Sequence, residues 1–124
     1  MVPYATRNAL LVPDSDEYDI IMSGWAPDYS DPYSDLELWY STSGYNYLNY
    51  HSDEYDKYID ASKTTSGKER MDNLFNAEKT LLEDGALVPL QLREVPYMVS
   101  DRVQNLGAYF VGLNYDYIYV DITN

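Results

Sequence analysis

Residues 66–85, SGKERMDNLFNAEKTLLEDG, decide the architecture. Ser66 and Glu69 stand in the spacing of a capping box, and Met71, Leu74, Phe75, Leu81 and Leu82 recur at helical intervals. Gly85 occupies the place of a C-terminal cap. The pattern predicts a helix from about Gly67 to Asp84, the longest in the chain. Upstream, Ser52 followed by Asp53 and Glu54 marks a second helix start, with acids where the helix dipole favours them and Tyr55, Tyr58, Ile59 and Ser62 on its inward face. Downstream, Ala86 to Leu92 (ALVPLQL) and Val95 to Val99 read as strands, with Pro89 at an edge or irregular position. The tail alternates from Asn114 onward as a strand with one wet face.

The first half is less regular. Residues 1–17 are a mixed opening of uncertain structure, with Ala9 to Val12 apolar and Pro13-Asp14 a turn signal. Tyr18 to Trp25 (YDIIMSGW) predicts a short buried strand ending at Gly24. A loop with two prolines and two aspartates follows, and Asp31-Pro32 then starts a helix with Leu36, Trp39 and Tyr40 on one face. The stretch SGYNYLNYHS holds tyrosines at 45, 47 and 50 and reads as an ordered loop, some of whose rings are available for recognition. Helices and strands in this order predict an α/β fold: a small mixed sheet packed by two or three helices.

Size and charge narrow the function. With 124 residues the chain is expected to form a single domain, 1–124, large enough for a core. A net charge of −13 repels nucleic acid and anionic membranes. The 15% aromatic content argues for folding despite the acidity. Zero cysteines exclude disulfides, thiolate metal sites and a cysteine nucleophile, and the single histidine, His51, excludes a His-rich metal site. No apolar stretch approaches the roughly 18 residues of a membrane span, and the first residues lack the features of a signal peptide.

The carboxylates Asp28, Asp31, Asp35 and Glu37 invite a calcium reading. Counting an EF-hand loop from Asp28 puts Pro32 at position 5, Tyr33 at position 6 and Trp39 at position 12, where an oxygen ligand, Gly and Glu are needed. Capping and solvated surface suit Asp31 and Asp35 better, and no metal site is expected. No acid pair stands out for glycosidase chemistry, and no phosphate-cradling glycine motif is present. Neither an enzyme nor a cofactor is expected.

One segment is more specific. Gly24-Trp25-Ala26-Pro27-Asp28-Tyr29-Ser30-Asp31-Pro32 resembles the GW-x-x-DY-x-DP signature of the oligopeptide- and dipeptide-binding proteins, the extracytoplasmic solute receptors of peptide ABC transporters. Three landmarks follow in that family's order. Gly44 to Asp56 is similar to its Gly-x-Asn loop and helix start. Arg70, Ala77, Glu78, Leu81 and Asp84 match its R-x6-AE-x2-L-x2-D helix, and Ala86 to Leu92 resembles its a-x-v-P-l strand. Residues 1–17 align poorly, and the match extends from 18 to about 100.

The resemblance implies the C-terminal lobe region of a two-lobed periplasmic-binding-protein type II-like fold, and non-enzymatic capture of peptides for an ABC importer. It implies an extracytoplasmic parent protein, a lipoprotein or exported by a signal peptide, that works with a transporter permease. In the family, the Asp of W-x-x-D pairs with the α-ammonium of the bound peptide, which falls on Asp28. Backbone groups beside it, at Ala26 and Pro27, are expected to meet the peptide main chain, with Trp25 a wall of the site or a packing residue. Two other readings are a truncated interaction remnant without a specific ligand and an acidic, aromatic-rich carbohydrate or calcium module. Exposed apolar surface at a lobe interface would favour homo-oligomers.

Overall fold

The computed structural model describes residues 3–13, 15, 17–92, 96–109 and 115–123. Helix α1 (Tyr4–Leu10) opens the chain and buries nothing. A short α2 (Tyr33–Leu36) runs into a 3-10 turn at Glu37–Trp39. Helices α3 (Asp53–Thr64) and α4 (Gly67–Glu83) form an antiparallel hairpin joined by two residues. The C-terminal part contributes β1 (Val103–Gln104), β2 (Gly107–Ala108), β3 (Tyr115–Asp116) and β4 (Asp121–Ile122). They pair as two antiparallel ladders, with Val103 opposite Ile122 and Gly107 opposite Asp116. Helices with small antiparallel sheets give the expected α/β composition.

The hairpin is the centre of the molecule because its two apolar stripes face each other. Tyr55 and Ile59 of α3 meet Leu74, Ala77 and Leu81 of α4, and Leu36 and Tyr50 close the cluster. The Tyr50 and Tyr55 rings stand edge to face at 5.4 Å. Ser52 caps α3, its Oγ accepting the Tyr55 N–H at 3.3 Å. The expected capping box at Ser66 does not form: no side-chain bond caps α4, whose entry is made by Gly67 at a φ of 55°, a left-handed conformation that suits glycine. Gly85, at φ 69°, ends the helix as its position predicts.

Several expected strands are not present. Tyr18 to Trp25 has no ladder, and Ile20 is 92% exposed instead of buried. Ala86 to Leu92 is likewise unpaired, with Val88, Leu90 and Leu92 exposed. So is the described part of Val95 to Val99, Val95 itself lying outside the described residues. The tail strand expected from Asn114, also outside them, is reduced to β3 and β4. A strand is stabilised only by a neighbour that takes up its backbone groups, and among the described residues these runs have none. The helical face expected after Asp31-Pro32 is shorter than its spacing suggests, since α2 tightens into the 3-10 turn after one turn. Leu36 and Leu38 are buried, with Trp39 and Tyr40 half-buried.

Candidate functional site

The loop 24–32 connects the unpaired run to α2. Trp25, Ala26 and Asp28 are exposed and Pro27 is half-buried. The Trp25 ring lies edge-on to Tyr45 at 5.3 Å, and Tyr45 in turn meets Tyr47 at 6.3 Å. Tyr18 donates its hydroxyl to the Tyr47 carbonyl at 2.7 Å, so the run before the loop and the tyrosine-rich stretch are tied together. That stretch is itself ordered: the buried Asn46 side chain spans it, donating to the Tyr50 carbonyl at 2.7 Å and accepting the Tyr50 N–H at 3.1 Å.

The Asp28 carboxylate is on the surface, and among the described residues no ion pair includes it. Arg102, a conceivable partner, instead donates to the Thr123 carbonyl, and Arg93 lies outside the described residues. The backbone of Asp28 is fixed, its N–H donating to Ser34 Oγ at 3.1 Å. Tyr29 donates to Glu37 Oε1 at 3.1 Å, and partial desolvation together with that bond pushes its phenol up to about 12.

Asp31 behaves differently from Asp28. Both its oxygens take a two-pronged bond from Arg70, each prong 2.9 Å long, while Oδ1 also accepts the Tyr33 N–H at 2.9 Å. The guanidinium bond holds the Asp31 carboxyl below its ordinary range and raises Arg70. Both Asp31 oxygens are thus engaged within the protein, by Arg70 and the Tyr33 N–H. Among the described residues there is no group of three or more His, Asp or Glu side chains arranged for a metal. His51 is exposed at the start of α3.

The loop therefore offers one exposed carboxylate and an adjoining aromatic row, the means to receive a cationic group beside an apolar one. Sequence reading identified Asp28 and Trp25 but gave Arg70 and Ser34 no role at the loop. Arg70 matches a helix motif 39 positions from Asp31, and only the fold brings the two together.

No protein-family model matches the chain. Among curated proteins it is 27% identical over 127 residues to a dipeptide-binding protein of Lactococcus lactis, covering 93% of this chain and 23% of the relative. To the periplasmic oligopeptide-binding protein OppA of Salmonella typhimurium it is 34% identical over 106 residues, covering 83% and 19%. Among solved structures, the substrate-binding domain of an oligopeptide ABC transporter from Bacillus anthracis superposes with a TM-score of 0.77 at 29% identity, covering 100% of this chain and 24% of that one. The pheromone receptor PrgZ, whose mode of peptide binding is known, gives 0.72 at 26% identity, covering 99% and 23%. The relatives are thus dipeptide- and oligopeptide-binding proteins, as the motifs indicate, and they are binding proteins, not enzymes. The chain spans about a fifth of the length of these curated relatives. Among the described residues, no helix is long and apolar enough to cross a membrane.

Proposed function

We propose that the loop 24–32 is the wall of a peptide-binding site that receives the peptide's amino terminus, in a protein that captures peptides outside the cytoplasm for an ABC importer. Asp28 pairs with the α-ammonium. Backbone groups at Ala26 and Pro27 meet the peptide main chain, and Trp25 lines the site. The observation that carries this reading is the combination at Asp28: a backbone held by Ser34 and an exposed carboxylate outside every ion pair among the described residues, on a loop that matches the peptide-binding signature. An ammonium removed from water needs such a partner, and a hydrogen bond to a charged group contributes about 1.5–3 kcal/mol. Main-chain pairing makes capture tolerant of peptide sequence. In this reading residues 1–124 form one unit of the C-terminal lobe, and the transporter permease is the downstream partner.

NMR titration with a tetrapeptide at millimolar concentration, free or N-acetylated, tests the assignment. Amides of residues 24–32 are expected to shift with the free peptide far more than with the acetylated one. Asp28→Asn should remove the difference. Equal responses to both peptides in the unaltered protein would refute the role of Asp28.

A further inference from the structure

Three side chains behind Asp28 form a chain of contacts back to the rigid hairpin. The Asp28 N–H ends on the hydroxyl of Ser34, which is 2% exposed in the single turn of α2. Two positions before that turn stands Asp31, whose Oδ1 accepts the Tyr33 N–H. Asp31 is gripped in turn by Arg70 of α4 through two parallel bonds. A forked guanidinium–carboxylate pair fixes orientation as well as distance, which a lysine ammonium cannot do. The approach to the loop, residues 21–27, has no ladder among the described residues, and is held by the Arg7 bond to the Met22 carbonyl at 3.3 Å and the Trp25 ring against Tyr45.

We propose that Arg70, Asp31 and Ser34 are positioning residues that hold the Asp28 backbone, and so direct its carboxylate, before any ligand arrives. The functional half of this inference rests on the amine-binding assignment of Asp28. The mechanical half does not. Order supplied in advance by α4 is order that binding need not impose, and this raises affinity without adding a contact.

Backbone 15N relaxation reads the mechanical half with no peptide present. In Arg70→Met, the order parameters of Ala26, Asp28, Tyr29 and Tyr33 are expected to fall from the rigid range near 0.85 toward values below about 0.6, while α3 and α4 keep theirs. Arg70→Lys should recover only part of the loss. Ser34→Ala, which spares the fork, should loosen Asp28 and leave Tyr33 ordered. It should also lower the preference for free over N-acetylated peptide several-fold. Unchanged loop order in Arg70→Met would overturn the proposal, as would an equal loss of order throughout α3. A loosened Asp28 with full peptide discrimination in Ser34→Ala would overturn the functional half. If Asp28→Asn itself leaves discrimination intact, the amine assignment fails, while the relaxation data still judge the fork.

Discussion

Tyr55 is the residue on which most of the core converges. Its ring is fully buried against Tyr50, and its hydroxyl donates to the Leu36 carbonyl, joining α3 to the end of α2. Tyr55→Phe keeps the ring and removes that hydrogen bond from a carbonyl that the 3-10 turn also engages, a loss expected to cost about 0.5–1.5 kcal/mol in urea unfolding. Burial pushes the Tyr55 phenol far above its ordinary value, and burial with the Asp84 hydrogen bond pushes Tyr50 up to about 12. A phenol whose pKa is raised by folding contributes stability that is complete below the unfolded value near 10 and declines as pH climbs beyond it. Alkaline titration followed by circular dichroism should therefore show stability falling above about pH 10, less steeply in Tyr55→Phe. Asp31 has the opposite sign. Its lowered pKa gives a contribution present above the unfolded value near 3.9 and lost as pH falls further, so the loop should loosen in acid before the hairpin melts.

Among the elements, α3 and α4 were legible in the sequence, whereas α1, in the opening of uncertain structure, and the strands were not, for a physical reason. Ser52, the facing apolar positions and Gly85 are local signals, and α3 and α4 bury Tyr55, Ile59, Ser62, Leu74 and Leu81 as their spacing predicts. Periodicity does not say which apolar positions find a partner. Met71, Phe75 and Leu82 belong to the same sequence stripe on α4 and are exposed. Ile59→Ala is expected to cost about 2–5 kcal/mol, against at most about 0.5 kcal/mol for Phe75→Ala, 64% exposed. Parallel denaturant curves check this, and similar losses would mean that Phe75 is covered in solution. Strands such as Tyr18 to Trp25 depend on distant neighbours, so their apolar runs identify candidates without supplying partners. The site divides in the same way. The exposed loop with Asp28 and Trp25 was readable as a motif, whereas the Ser34 bond to the Asp28 N–H, six positions away, and the Arg70 fork on Asp31, 39 positions away, emerge only from the contacts.

At the scale of the whole molecule, the contest is between a charge of −13 and a large uncovered apolar surface. Ile20, Val88, Leu90, Leu92, Met98 and Ile118 are all exposed, Met98 completely, and several sit in apolar runs that have no ladder partner among the described residues. Such edges pair with other chains, while like charges hold the copies apart. Screening decides the balance, because the Debye length shrinks from about 30 Å at 0.01 M salt to about 8 Å at 0.15 M. The 124-residue chain is therefore expected to be largely monomeric in dilute low-salt buffer and to self-associate as salt or protein concentration rises. Peptide affinity should be low at the same time. In the proposed peptide-binding role, an ammonium paired with Asp28 on this exposed loop would sit in water, where such pairs contribute about 0–1 kcal/mol, whereas closure of a second lobe over it would exclude that water. The expected dissociation constant is about millimolar or weaker, near 4 kcal/mol. Light scattering across a salt series, run beside calorimetry with short peptides, tests both statements. A monodisperse monomer at every salt concentration, binding peptides at micromolar levels, would show that the exposed surface is self-sufficient and that this chain alone forms the whole site.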